Sequence, residues 1–346
     1  MARYEIRALL PGDEPQLLAL ARHLNSVNLP DDPGRIAEIV HLAHGSWSGE
    51  VEKPTEREYV FVLVDHEQER IVGTSMILAQ LGRRGAPYIY FDVMDEEKYS
   101  ATIDKHFHHK VLRIGYSYNG PTEIGGLVIH PEYRKASERL GTMISYVRFL
   151  FIKAHRELFR PEVVAELLPP LEPDGTSHLW EALGRKFTGL DYAEADVLSK
   201  KNKEFIKGLF PEGAVYATLL PQDAQDVIGK VGHQTRGVEK LLRRIGFRYA
   251  DRVDPFDGGP HFFAETDEVS LVKHTRKLVA GPPLEPGDAG SGRALVAVEL
   301  PGAPYFRCVA ADVRMPERTG WVAIDQAAHD RLAIDPGGDV WVLPFH

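Results

Sequence analysis

The sequence predicts an α/β fold: a mixed sheet covered by helices, with a small β unit at the end of the chain. Three observations predict it. The middle of the chain alternates strand, helix, strand and helix, an order that calls for a sheet with helices packed on it. The run EYVFVLVD around Tyr59 is apolar nearly throughout, as in a strand covered on both faces. Beyond a stretch rich in Gly and Pro, the last residues read almost entirely as short strands.

Residues 4–8 alternate as a short strand. Pro11, Gly12 and Asp13 then open an amphipathic stretch in which Leu17, Leu18, Ala21 and Leu24 recur at helical spacing. A second helix is expected over residues 35–43, with Ile36, Ile39, Val40 and Ala43 on one face. EYVFVLVD and the following RIVGTSMILAQLG read as antiparallel strands joined by a polar turn at residues 66–70. YIYFDV and VLRIGYSY look extended, and the polar DEEKYSATIDKHFHHK between them reads as a solvated loop. TEIGGLVIHPEYR gives a strand ending at a proline. A long helix follows over residues 137–159, striped by Leu140, Ile144, Val147, Leu150, Phe151 and Ala154.

VVAELL then reads as a buried strand and HLWEALGRKF as a helix. KNKEFIKGLF and QDAQDVIGKV are short helices, and another over residues 235–245 ends at Gly246 in a C′ role. FRYADRV is a strand and DPFDGGP a turn-rich loop. Composition makes GPPLEPGDAGSGR, residues 281–293, the best linker. The expected division is therefore a main domain over residues 1–280, with a helical insertion around 188–245, and a β-rich unit over 294–346. That unit is built from RALVAVEL, YFRCVAADVRM, GWVAID and DVWVLPF, with AAHDRLAI a helical turn.

At 346 residues with 43% hydrophobic content, the chain has ample material for buried cores. A formal net charge of -9 disfavours general nucleic-acid binding, which needs a basic surface to displace counterions. No window approaches the roughly 18 apolar residues of a membrane span, and the start lacks the features of a signal peptide, so a cytoplasmic location and no membrane partner are expected. Cys308 stands alone, which excludes an internal disulfide and a cysteine metal cluster. His106, His108 and His109 have metal-like spacing, but no carboxylate pattern completes a site, and no metal is expected.

The most informative segment is IHPEYRKASERLGTMISY. A turn rich in backbone donors, aimed into a helix N-terminus and flanked by Arg134, Lys135 and Arg139, suits a pyrophosphate. An ordinary helix N-terminus with solvated charges would read the same way. Neither a Walker loop nor a G-x-G-x-x-G fingerprint is present.

GGLVIHPEYRK, with the glycine that follows at the head of a long helix, resembles the acyl-CoA-binding segment of GNAT N-acyltransferases. Together with EYVFVLVD, YVRFLFIKA, VVAE, LWEALGRKF, QDAQDVIGKV, HQT and RVDPFDGGPHFF, it makes the chain resemble, almost end to end, the arginine and ornithine succinyltransferase family. The resemblance implies a GNAT-like sheet and transfer of a succinyl group from succinyl-CoA, as acyl-CoA co-substrate, to the α-amino group of an arginine- or ornithine-like amine. It implies direct attack, with no metal, and a homo- or hetero-oligomer. It also implies that main-chain groups of Leu127, Val128 and Ile129 line the acyl and pantetheine arm, while Arg134, Lys135 and the turn into Gly141 hold the pyrophosphate. The remaining alternatives are a non-catalytic partner subunit or acyl-CoA-binding regulator, and a transferase with another donor and acceptor.

A histidine suits the proton transfer to the departing thiolate, because its ordinary pKa lies near neutrality. The family's proton donor falls just before the helix at Thr235, which makes His233 the candidate, against a loop-capping role. The family pattern there is V-H-P-Q-T, whereas this chain has Val231-Gly232-His233-Gln234-Thr235. Registered on Gln-Thr, the family histidine falls on Gly232. The turn KASERLG is also longer than the family's, and V-V-A-E is followed by Leu167, Leu168, Pro169 and Pro170 where the family has Met-Arg-Gly. Glu166, at a strand end, is a candidate to orient the substrate amine, or else caps a neighbouring backbone group.

Overall fold

The computed structural model describes residues 2–22, 29–285, 290, 292–315 and 320–345. Leu24 of the first expected helix, and residues 286–289 and 291 of the expected linker, lie outside the described residues. The chain opens with β1 (Tyr4–Ala8), α1 (Glu14–Ala21), α2 (Pro33–Ser48), β2 (Glu58–Asp65) and β3 (Arg70–Leu78). Next come β4 (Tyr88–Ser100), β5 (Lys105–Ser117), β6 (Thr122–Ile129), α3 (Leu140–Ala154) and β7 (Glu162–Glu166). Five short helices follow, interrupted by the two-residue β8 (Val215–Tyr216): α4 (Arg185–Thr188), α5 (Tyr192–Lys201), α6 (Glu204–Leu209), α7 (Gln222–Val227) and α8 (Arg236–Arg244). The chain closes with β9 (Arg248–Val253), β10 (Pro260–Glu265), α9 (Ser270–His274), β11 (Arg276–Ala280), β12 (Gly292–Glu299), β13 (Phe306–Arg314), β14 (Trp321–Ile324), α10 (Gln326–Leu332) and β15 (Asp339–Pro344).

The chain folds as two compact units, the first from residues 1–79, 124–161 and 266–346, the second from 80–123 and 162–265. In the first, β1 pairs antiparallel with β2, and β2 with β3. Seven of the eight β2 residues are buried, as its unbroken apolar run requires. Asp32 starts α2 by accepting from the Arg35 amide at 2.7 Å, Pro33 occupies the first turn, and Gly49 ends it in the left-handed region, φ 80°. Trp47 of α2 sits among Tyr59, Phe61, Phe151 and Phe306, with ring centroids 4.9–6.0 Å away.

The C-terminal strands form a β unit with its own apolar core, in which Leu278, Val296, Val309, Val322 and Val342 meet. The expected break at residues 281–293 does not separate it. β13 pairs with β1, Ile6 opposite Cys308, and β11, which lies before the expected linker, pairs with both β14 and β15. A Gly/Pro-rich segment marks a turn of the chain, and here that turn joins strands of one unit.

In the second unit β7 pairs with β10, β10 with β9, β9 with β4, β4 with β5 and β5 with β8. The helices expected as an insertion around 188–245 belong to this larger unit, built on Trp180, Leu183, Phe210 and Phe256. The polar stretch expected as a loop is instead a continuous hairpin, paired from Tyr88–Ser117 to Ser100–Lys105. A hairpin with both faces in water needs no apolar alternation, so periodicity was silent there. His106 and His108 lie on its exposed strand with Glu97 across from them.

Candidate active site

The expected anion-binding segment is a strand, a turn and a helix within the first unit. Gly126 in β6 adopts φ +55°, and a Cβ there would come within 2.8 Å of Met76. Its carbonyl accepts from Thr74 Oγ1 at 3.0 Å, and the Gly125 carbonyl accepts from the buried Arg148 at 3.3 Å. The Val128 and Ile129 side chains are buried, while Leu127 is half-buried. β3 approaches so closely that a Cβ on Gly73 would lie 2.8 Å from the Val128 carbonyl oxygen.

After β6, Arg134 bends back to donate to the Ile129 carbonyl at 3.2 Å, and Lys135 is exposed. The helix begins at Leu140 and ends at Ala154, not over the expected residues 137–159, because Arg139 takes φ +55° and breaks the preceding turns from it. No side chain caps this N-terminus. Gly141 is exposed, and a Cβ on it would meet nothing closer than Ile129 at 4.0 Å, so packing within the chain does not demand a glycine.

The second unit holds the other candidates. Glu166 ends β7 directly opposite His261 of β10. His261 is fully buried; its Nδ1 lies 2.7 Å from the Tyr88 hydroxyl, and its Nε2 has no hydrogen-bond partner among the described residues, with Glu166 Oε1 3.6 Å away. Asp254 completes the group: its carboxylate accepts from the Phe256 amide at 2.6 Å, and one ligand atom each from Glu166, Asp254 and His261 lie within 4.8 Å of one another. The neighbouring Asp257 accepts from the Gly259 amide at 2.7 Å.

Burial governs the charges here. It raises the Glu166 carboxyl above its ordinary value, opposed by Lys203, and raises Asp254 to about 6, with Glu166 adding to the effect. It lifts Asp257 well above the usual carboxylate range and lowers His261 to about 4, so the imidazole is neutral at pH 7. The DPFDGGP segment is therefore both turn and site. Asp254, read from the sequence as turn chemistry, and His261, which lies within RVDPFDGGPHFF but carries no role in that reading, are not among the expected site residues. The usable signal was the strand HFFAE, whose first inward residue is a histidine in place of an apolar side chain.

His233 opens the short turn that leads into α8 and is exposed. Gly232 beside it is buried against the segment after β7. Its amide donates to the Leu168 carbonyl at 2.8 Å, and Thr235 Oγ1 donates to the same oxygen at 3.0 Å. A Cβ on Gly232 would lie 2.6 Å from the Pro169 carbonyl oxygen and 2.9 Å from that of Leu168. A side chain at position 232 would therefore require the backbone at Leu168 and Pro169 to move.

The predicted residues thus fall in two sets, Leu127, Val128, Ile129, Arg134, Lys135 and Gly141 in the first unit, Glu166 and His233 in the second. Among the described residues no helix is long and apolar enough to cross a membrane.

Residues 4–271 match a family described as arginine N-succinyltransferase beta subunit. The chain is 35% identical over 320 residues to an arginine N-succinyltransferase of Yersinia pestis, spanning 91% of this chain and 90% of that one. It is 30% identical over 343 residues, 98% of each chain, to arginine N-succinyltransferase subunit beta of Pseudomonas aeruginosa. Its fold matches the solved structure of arginine/ornithine succinyltransferase subunit AI from Pseudomonas aeruginosa with a TM-score of 0.83, at 26% identity and 99% coverage of both.

Proposed function

The chain belongs to the arginine N-succinyltransferase family, and from that premise we propose that it transfers the succinyl group of succinyl-CoA to the α-amino group of arginine or a close analogue. The observation that carries this reading is the extent of the likeness, one fold over 99% of both chains. In this reading the main chain at Leu127, Val128 and Ile129 lines the acyl arm, and Arg134, Lys135 and the α3 N-terminus at Gly141 receive the pyrophosphate, where the helix dipole favours an anion. The room above Gly141 supports that assignment. Glu166 orients the amine.

The amine attacks the thioester carbonyl, the C–N bond forms as the C–S bond breaks, and the thiolate takes a proton. His233 supplies it. Its exposure beside a fixed turn supports a donor that recharges from water. Two of the relatives are named as subunits, which supports an oligomer here too.

The test is thiol release by the purified chain with succinyl-CoA or acetyl-CoA against arginine, ornithine and lysine. Turnover with succinyl-CoA and arginine or ornithine is expected; binding of succinyl-CoA in a calorimeter without turnover would overturn it. His233→Ala should lower kcat by ~10²–10⁴-fold, and unchanged turnover across the pH range would remove His233 from the mechanism.

A further inference from the structure

We propose that Glu166, Asp254 and His261 form a three-point receptor for the α-ammonium of the acceptor amino acid, with Glu166 taking the proton that must leave before attack. The inference rests on the N-acyltransferase reading above and adds the groups that would bind and deprotonate the nucleophile. An amino acid's α-nitrogen is protonated at neutral pH and has no lone pair, so an acceptor for one proton is required.

A primary ammonium carries three N–H donors in tetrahedral directions. With N···acceptor distances of ~2.9 Å, its three acceptors stand at most roughly 4.7 Å apart. The three side chains offer one atom each within 4.8 Å of one another, with Glu166 Oε1 and His261 Nε2 at 3.6 Å. A zinc-like ion with bonds of ~2.1 Å would place the three roughly 3.4 Å apart, against 3.6 Å for Glu166 and His261, so a metal titration separates the two ligands.

The independent sign of a ligand is His261 itself. It is fully buried, and its Nε2 has no hydrogen bond among the described residues, a costly arrangement for a native structure unless something else satisfies it. Tyr88 fixes the ring: with the proton on Nδ1, the ring N–H donates to the phenol oxygen 2.7 Å away, and Nε2 presents its lone pair to the ligand. Tyr88 is thus a positioning residue, as its phenol stacks on the imidazole at 5.7 Å without joining the three acceptors.

Charge agrees. The groups that act on the cluster are Tyr88, Arg252, Asp254, Asp257 and Lys203. Arg252 is already paired with Asp92 at 2.9 Å, which leaves Lys203 facing the exposed Glu166 and the half-buried Asp254, so the cluster carries more carboxylates than free cations and favours a bound cation. The step balances. R–NH3+ and the Glu166 carboxylate give R–NH2 and the carboxylic acid; the freed amine then forms the C–N bond, the C–S bond breaks, the thiolate takes the His233 proton and leaves as CoA–SH, and the second N–H proton passes to water, from which His233 is recharged.

The experiment is steady-state turnover of the full chain with succinyl-CoA, in wild type, Glu166→Gln, Asp254→Asn, His261→Gln and Tyr88→Phe, each checked by near-ultraviolet circular dichroism. Glu166→Gln should lower kcat/KM for the amine by ~10²–10⁴-fold while leaving the KM for succinyl-CoA unchanged, and should remove the acidic limb of the pH profile. Tyr88→Phe should raise the amine KM more than it lowers kcat. Binding of arginine and citrulline, followed by calorimetry, distinguishes the end that is held. Equal fold-losses in Glu166→Gln support the α-ammonium, because both amino acids carry it. A loss confined to arginine would overturn the proposal in favour of a guanidinium pocket. Zinc or manganese binding to wild type, abolished in His261→Gln and required for turnover, would overturn it in favour of a metal site. If wild type turns over no amine, the transferase reading fails, and the arginine and citrulline titrations still decide what the cluster binds.

Discussion

At the scale of single residues, Asp254 and His261 sit in one buried cluster and are pushed in opposite directions. Asp254 has a folded pKa of about 6, above its unfolded ~3.9, so the folded state binds more protons between those values and stability falls as pH rises through them. His261 has a folded pKa of about 4, below its unfolded ~6.5, so the unfolded state binds more protons there and stability rises with pH. The two effects oppose each other between roughly pH 4 and 6.5. Asp254→Asn removes the first and also the charge that props up the His261 pKa, so stability measured by urea unfolding should climb more steeply with pH than in wild type over that window. His261→Asn should make the climb shallower than in wild type. Matching slopes in the two variants would show that the cluster is hydrated and unshifted. Residue chemistry of this kind was only partly legible in the sequence. Glu166 could be singled out at a strand end, but its partner His261 lies 95 positions away and is brought opposite only by the β7–β10 register.

At the scale of elements, legibility followed the strength of periodicity. β2, α2, β7 and the C-terminal strands are where alternation or helical stripes predict them, because each buries one face or both. The β4–β5 hairpin and the head of α3 were misread because their shape comes from pairing and from a left-handed Arg139, neither of which leaves an apolar pattern. The turn at Val231–Gly232–His233 makes the same point. Two segments far apart in sequence, the Leu-Leu-Pro-Pro run and the glycine, are in contact through the backbone. Gly232→Ala should therefore destabilise the chain by about 1–3 kcal/mol, since its Cβ would face two carbonyl oxygens that cannot retreat without moving the backbone. It should also lower turnover while His233 stays in place. Thermal unfolding together with kcat measures both, and an unperturbed Tm would mean that the 167–170 segment yields freely.

At the scale of the whole molecule, the sequence suggests a chain that could be cut at its Gly/Pro-rich stretch, and the pairing argues otherwise. β13 lies against β1, and Arg307 on it holds the buried Glu5 through contacts of 2.5 and 3.1 Å. Phe306 is fully buried in the aromatic cluster around Trp47, Phe61 and Phe151. A chain ending at Ala280 loses all of these together. Among the described residues the Glu5 carboxylate would keep His66, at 2.7 Å, and β1 would present an open edge able to pair with another molecule. β11 would lose both neighbours, β14 and β15. Residues 1–280 expressed alone should therefore aggregate or lack cooperative unfolding, although they contain every proposed site residue. The measurement is size-exclusion chromatography with a thermal melt. A monodisperse fragment with a sharp transition would show that the last strands are an addition to the first unit, whereas co-expression with residues 281–346 restoring a soluble, cooperatively unfolding complex would show that they complete its sheet.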